Sequence, residues 1–70
     1  KDPEAILLFL ENESQFQTAR NLIDKYNGSV KVYIEYDKQR FVNDAGINLN
    51  LSSLLEIKKN FAGYKVHYAS

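Results

Sequence analysis

The chain has 70 residues and a mass of 8.1 kDa, with 44% hydrophobic and 26% charged residues. That is enough for one small core and too apolar for intrinsic disorder, so a single domain over residues 1–70 is expected. Nine Lys and Arg balance nine Asp and Glu, which leaves no net charge and none of the basic excess of a general nucleic-acid binder. The absence of cysteine excludes disulfides and thiolate metal sites.

The chain also lacks Met, position 1 included, so it is expected to be an excised or processed piece of a longer protein. After a polar lead-in ending at Pro3-Glu4, the run Ala5-Ile6-Leu7-Leu8-Phe9-Leu10 is apolar at every position. It is far shorter than the roughly 20 residues that span a bilayer, and it predicts a strand that is central or covered on both faces. Asn12 with Gln15, or Ser14 with Gln17, has the spacing of a capping box. Phe16, Ala19, Ile23 and Tyr26, with Leu22 beside them, then lay an apolar stripe along one helical face. Asn27-Gly28 is expected to end that helix in the left-handed conformation.

Val30, Val32, Ile34 and Tyr36 alternate with Lys31, Tyr33, Glu35 and Asp37, the period of a strand with one buried face. Asp37-Lys38-Gln39 followed at once by Arg40-Phe41-Val42 predicts an antiparallel hairpin, and Asn43-Asp44-Ala45-Gly46 has turn chemistry. Ile47 to Asn50 alternates briefly before Ser53 and Glu56, again at capping-box spacing, and a helix is predicted over about 51–61. Leu51, Leu54, Leu55, Ile57 and Phe61 would form its apolar side, Lys58 and Lys59 suit the negative end of its dipole, and Gly63 would close it. Tyr64-Lys65-Val66-His67-Tyr68 alternates as a last strand.

The order is strand, helix, strand, strand, helix, strand. Two helices cannot cover both faces of four strands, so the expected fold is α+β, a two-layer sandwich with both helices on one face of a four-stranded sheet. Right-handed crossovers lead to a split, ferredoxin-like strand arrangement. The alternative is a small Rossmann-like sheet with the hairpin at one edge.

Nucleophilic catalysis needs a nucleophile, a base and an orienting group, and the chain offers no Cys and a single histidine. No catalytic, metal or cofactor site is therefore expected. His67, in phase between Val66 and Tyr68, is expected to point to solvent. Asp24, Asp37 and Asp44 lack calcium-loop spacing, and Gly28, Gly46 and Gly63 lie too far apart to cradle a phosphate. An RNA- or single-strand-binding module shares this order of elements, yet Arg40-Phe41-Val42 lacks the Gly-aromatic signature of its third strand. Tyr33, Tyr36, Tyr64 and Tyr68 could stack bases, although tyrosines on strands more often pack. Lys58, Lys59 and Lys65 form a weak candidate phosphate patch, beside the simpler account of solvated lysines.

The first strand stands out most. If Leu7 and Phe9 meet the helices, then Ile6, Leu8 and Leu10 face away, where the chain supplies no third layer. With Tyr33 they form the candidate protein interface, whether toward a separate partner or a neighbouring domain of the parent chain. A protein partner is expected, with no small molecule and no membrane.

Over Ala5 to Val66 the chain resembles the C-terminal domain of the bacterial replicative DNA polymerase III alpha subunit of the DnaE type. The residues that carry the likeness are Asn21-Leu22-Ile23-Asp24-Lys25-Tyr26-Asn27-Gly28, then Val30-Lys31-Val32-Tyr33-Ile34, similar to the family's Gly-x-x-Pro-Val-Tyr-Leu strand. Gly46-Ile47-Asn48-Leu49, Leu54-Leu55-Glu56-Ile57-Lys58-Lys59 and Gly63 continue it. Lys31 stands where the family often has Pro, and the stretch from Gly63 to Val66 is shorter than usual. The resemblance implies a cytoplasmic, non-catalytic end domain acting in DNA replication, beyond the polymerase's own single-strand-binding module. In some relatives this domain contacts the clamp-loader tau subunit, and nucleotidyl transfer belongs to other domains. An appended or freestanding ferredoxin-like interaction domain is the alternative.

Overall fold

Residues 2–70 are described by a computed structural model. In chain order the elements are β1 (Pro3–Phe9), α1 (Gln15–Lys25), β2 (Asn27–Gly28), β3 (Lys31–Tyr36), β4 (Gln39–Val42), β5 (Gly46–Ile47), α2 (Leu51–Asn60) and β6 (Gly63–Tyr68). The main sheet runs β4-β3-β1-β6, with β1 parallel to β3 and antiparallel to β6, and β3 antiparallel to β4. Ile6, Leu8 and Leu10 pack with Ala19, Leu22 and Ile23 of α1 and with Ile57 and Phe61 around α2 in one core. Both helices therefore lie on the same face of the sheet, the expected two-layer sandwich.

Strand order follows the hairpin-at-the-edge arrangement. A split arrangement would place β4 between β1 and β3, and β4 does not suit that place because all four of its residues are exposed. β3 instead alternates buried Val32 and Ile34 with half-buried neighbours, and it lies directly against β1. A short, wet strand belongs at a sheet edge. The hairpin turns on Asp37 and Lys38, both in the left-handed region at φ 52° and 63°, which is the two-residue turn whose twist matches its strands.

The helix ends differ from the sequence expectations. Neither spacing match before α1 forms a capping box. Ser14 precedes the helix with no side-chain cap bond, and the Gln15 Oε1 accepts from the Glu11 N–H at 2.6 Å. α1 ends at Tyr26, whose N–H donates to the Leu22 carbonyl at 2.9 Å. Asn27-Gly28 is not a left-handed stop, since no glycine has positive φ. It forms β2, paired with β5 as a second, two-stranded sheet. Gly28 is required there by close approach: a Cβ would come within 2.5 Å of the Asn48 backbone N.

α2 is capped by Asn50 rather than Ser53. The Asn50 Oδ1 accepts from the Ser53 N–H and the Ser53 Oγ accepts from the Asn50 N–H, each at 2.9 Å. Ser53 is fully buried and also donates to the Asn48 carbonyl at 2.9 Å. Of the expected apolar side, Ile57 and Phe61 are buried and Leu54 is half-buried, while Leu51 and Leu55 turn outward, 76% and 58% exposed, with Ser53 buried in their stead. α2 gives way to Phe61, whose N–H donates to the Ile57 carbonyl at 3.1 Å, and Gly63 opens β6.

The two helices are tied side by side. The Lys25 Nζ donates to the Glu56 Oε2 at 3.0 Å and the Tyr26 hydroxyl donates to the same oxygen. At the far end of α1 the Gln15 side chain donates to the Asn60 carbonyl at 3.0 Å. Hydrogen bonds from Tyr26 and Lys25 hold the Glu56 carboxyl below the usual carboxylate range, and the same carboxylate raises both Tyr26 and Lys25. No helix among the described residues is long and apolar enough to cross a membrane.

Candidate functional site

Side chains that face each other across paired strands share a sheet face, so the register sorts the two surfaces. Ile6 and Leu8 stand opposite Val32 and Ile34 on one side and Val66 and Tyr64 on the other, all toward the helices. Ile6 and Leu8 are each 1% exposed, and Leu10 is buried too. These three residues are therefore core, not interface. A strand apolar at every position does not announce which set faces in, and here the helices cover the even-numbered one.

The open face carries the other set. Leu7 pairs with Tyr33 and Lys65, Ala5 with Lys31 and His67, and Phe9 with Glu35. From β4, Val42 and Arg40 stand opposite Tyr33 and Glu35. Leu7 and Tyr33 occupy the two central strands and are half-buried, and no element among the described residues covers them. They border a shallow concavity of about 410 Å³ with Glu4, Arg40, Lys65 and His67 around it. Of the predicted interface, Tyr33 alone lies on this face. Leu7, Phe9, Arg40 and Val42 were missed, and the alternation of Tyr33, Lys65 and His67 was the signal that could have marked their side of the sheet.

Charge rings this apolar centre. The Arg40 Nη2 lies 3.0 Å from the Glu35 Oε1 and the His67 Nε2 lies 3.6 Å from the Glu4 Oε1. Lys31 and Lys65 form no ion pair among the described residues, and both are exposed. The three candidate phosphate lysines do not form one patch. Lys65 projects from the open face beside Leu7, while Lys58 and Lys59 sit on α2, on the other side of the sheet.

The four tyrosines are divided as well. Tyr33 faces the open side, Tyr36 packs edge-on against Phe16 at 5.6 Å between ring centres, Tyr64 lies on the helix side of β6, and Tyr68 lies beyond the register shift at the end of β6. Among the described residues no three His, Asp or Glu side chains come together as a metal site. A half-buried aliphatic and aromatic centre with a charged rim is the composition of a protein-recognition surface, where Tyr and Arg are enriched. Against family models, curated proteins and solved structures, the chain finds no match.

Proposed function

We propose that this domain is a non-catalytic protein-interaction module at the C-terminal end of a replicative DNA polymerase alpha subunit, docking through the open face of its sheet. The observation that carries the interaction role is the uncovered centre of Leu7 and Tyr33 on β1 and β3, rimmed by Arg40, Lys65 and His67. The polymerase context rests on the likeness over Asn21 to Gly28, Val30 to Ile34 and Leu54 to Lys59. A clamp-loader tau subunit or a neighbouring polymerase domain is the partner this context favours.

Titration calorimetry of the domain with purified tau tests the reading. Saturable binding is expected, weakened about tenfold or more by Leu7→Lys, because a charge at the centre of a desolvated contact opposes docking. Binding that Leu7→Lys leaves unchanged would remove the open face from the contact, and no binding would remove tau. A single-strand nucleic-acid module is a second reading, favoured by Tyr33 among Lys31, Arg40 and Lys65. It predicts oligonucleotide binding that is lost with Tyr33→Ala and falls steeply with salt.

A further inference from the structure

β6 ends the main sheet: β1 pairs with its inner edge, and among the described residues no strand pairs with the outer one. Such an edge leaves the outward N–H and C=O groups of alternate residues to water and can template another strand. Proteins commonly blunt an edge with Pro, a bulge or brevity. β4, the opposite edge, is short, but β6 is six residues long and contains no Pro, and the one register shift in its pairing with β1 lies at its Tyr68 end.

The side chains along this edge give it a chemistry. Tyr64, on the helix side, is 36% exposed, and Tyr68, beyond the register shift, is 53% exposed. Leu51 and Leu55 are not part of this edge: at about 100° per residue they fall on the back of α2, opposite its buried Ser53 and Ile57. On the open side the edge presents Lys65 and His67, while Lys58 sits on α2 across the sheet. Glu4 is the one carboxylate that reaches any of them, and neither Lys58 nor Lys65 has an ion-pair partner among the described residues.

We propose that the outer edge of β6 is a strand-addition site for an extended segment of a partner protein in which apolar residues alternate with Asp or Glu. Residues facing each other across a strand pair share a face, so the apolar set of such a segment would meet Tyr64 and Val66. Its carboxylates would meet Lys65 and His67. Main-chain hydrogen bonds supply affinity and the alternating side chains supply selectivity. A second copy of this chain fits less well, because it would bring the same unpaired lysines together. The site is the outer edge of β6 rather than the Leu7–Tyr33 centre, with which it shares Lys65 and His67 at the rim, and the proposal goes beyond the function given above.

The test is a nuclear magnetic resonance titration of the 15N-labelled domain with a capped peptide of the length of β6 that alternates glutamate and valine. The controls are its lysine–valine counterpart and two forms N-methylated along one edge or the other. Amide shifts confined to residues 63–68 are expected, with the glutamate peptide bound about tenfold or more tighter than the lysine one. Lys65→Glu should reverse that preference, and one of the two N-methylated forms should fail to bind. Equal affinity for both charges, binding that survives N-methylation of either edge, or a dimer already joined through β6 would overturn the proposal.

Discussion

Glu56 joins α1 to α2 by accepting from both Tyr26 and Lys25, and its protonation state decides whether that clasp holds. Its carboxyl is lowered in the folded state, chiefly by the Tyr26 hydroxyl and then by Lys25, so its contribution is present above the ordinary carboxylate range. That contribution is lost as pH falls through the lowered value. Tyr26 and Lys25 are raised, first of all by hydrogen bonds to Glu56, so their contributions are present below their ordinary values and lost as pH rises through the raised ones. The gap in urea midpoint between the native chain and Glu56→Gln should therefore stay constant from weakly acidic to weakly alkaline solution. It should close only in stronger acid or strong alkali. The gap will be small, since Lys25 is largely exposed. A gap that closed near neutrality would show that the clasp does not act in solution. Gly28 makes a different demand, because a methyl group there meets backbone rather than a side chain that can swing away. Gly28→Ala should cost about 1 to 3 kcal/mol in denaturant unfolding, the range for overpacking, and a neutral result would mean that β2 and β5 separate easily.

At the scale of elements, the α2 cap is the joint where the second helix meets the small sheet. Ser53 accepts from the Asn50 N–H and donates to the Asn48 carbonyl while fully buried, so Ser53→Ala leaves both groups short of a partner. A loss of about 1 to 2 kcal/mol is expected from urea unfolding, and Ser53→Thr should restore part of it if the hydroxyl is what matters. The β3–β4 turn offers the opposite change. Lys38 carries a side chain at φ 63°, so Lys38→Gly should raise stability by up to about 1 kcal/mol, the left-handed penalty less the greater freedom of glycine in the unfolded chain. The strands and helices themselves were legible because their periods are long enough to count: two along Val30 to Tyr36, near 3.6 along Phe16 to Tyr26. β2 and β5 were not, since two residues have no period. The capping residue of α2 was misplaced because Ser53 with Glu56 and Asn50 with Ser53 both offer the right spacing. What separates them is burial of Ser53 under the Asn48 carbonyl, which depends on tertiary structure.

At the scale of the whole molecule, two layers mean that the sheet has one dry face and one wet face, and β1 is the strand on which they can be compared directly. Leu7 and Leu8 are adjacent, chemically identical and on the same central strand, yet Leu8 is 1% exposed under the helices while Leu7 is half-buried on the open side. A lysine at position 8 would place an unpaired charge among Val32, Ile34 and the helix side chains, at a cost of about 3 to 5 kcal/mol. A core of this size rarely supplies more than about 3 to 5 kcal/mol in all, so Leu8→Lys should unfold the domain at ambient temperature. At position 7 the side chain can run along the open face and hold its ammonium in water, and the like charge of Lys65 directly opposite adds a small repulsion, so Leu7→Lys should keep the fold with a modestly lower melting temperature. Circular dichroism melts of the two variants side by side make the comparison. A folded Leu7→Lys beside an unfolded Leu8→Lys is the outcome a two-layer fold requires. Equal unfolding would mean that a further contact covers the open face in solution, most simply self-association, and light scattering on the native chain at the same concentration would identify it.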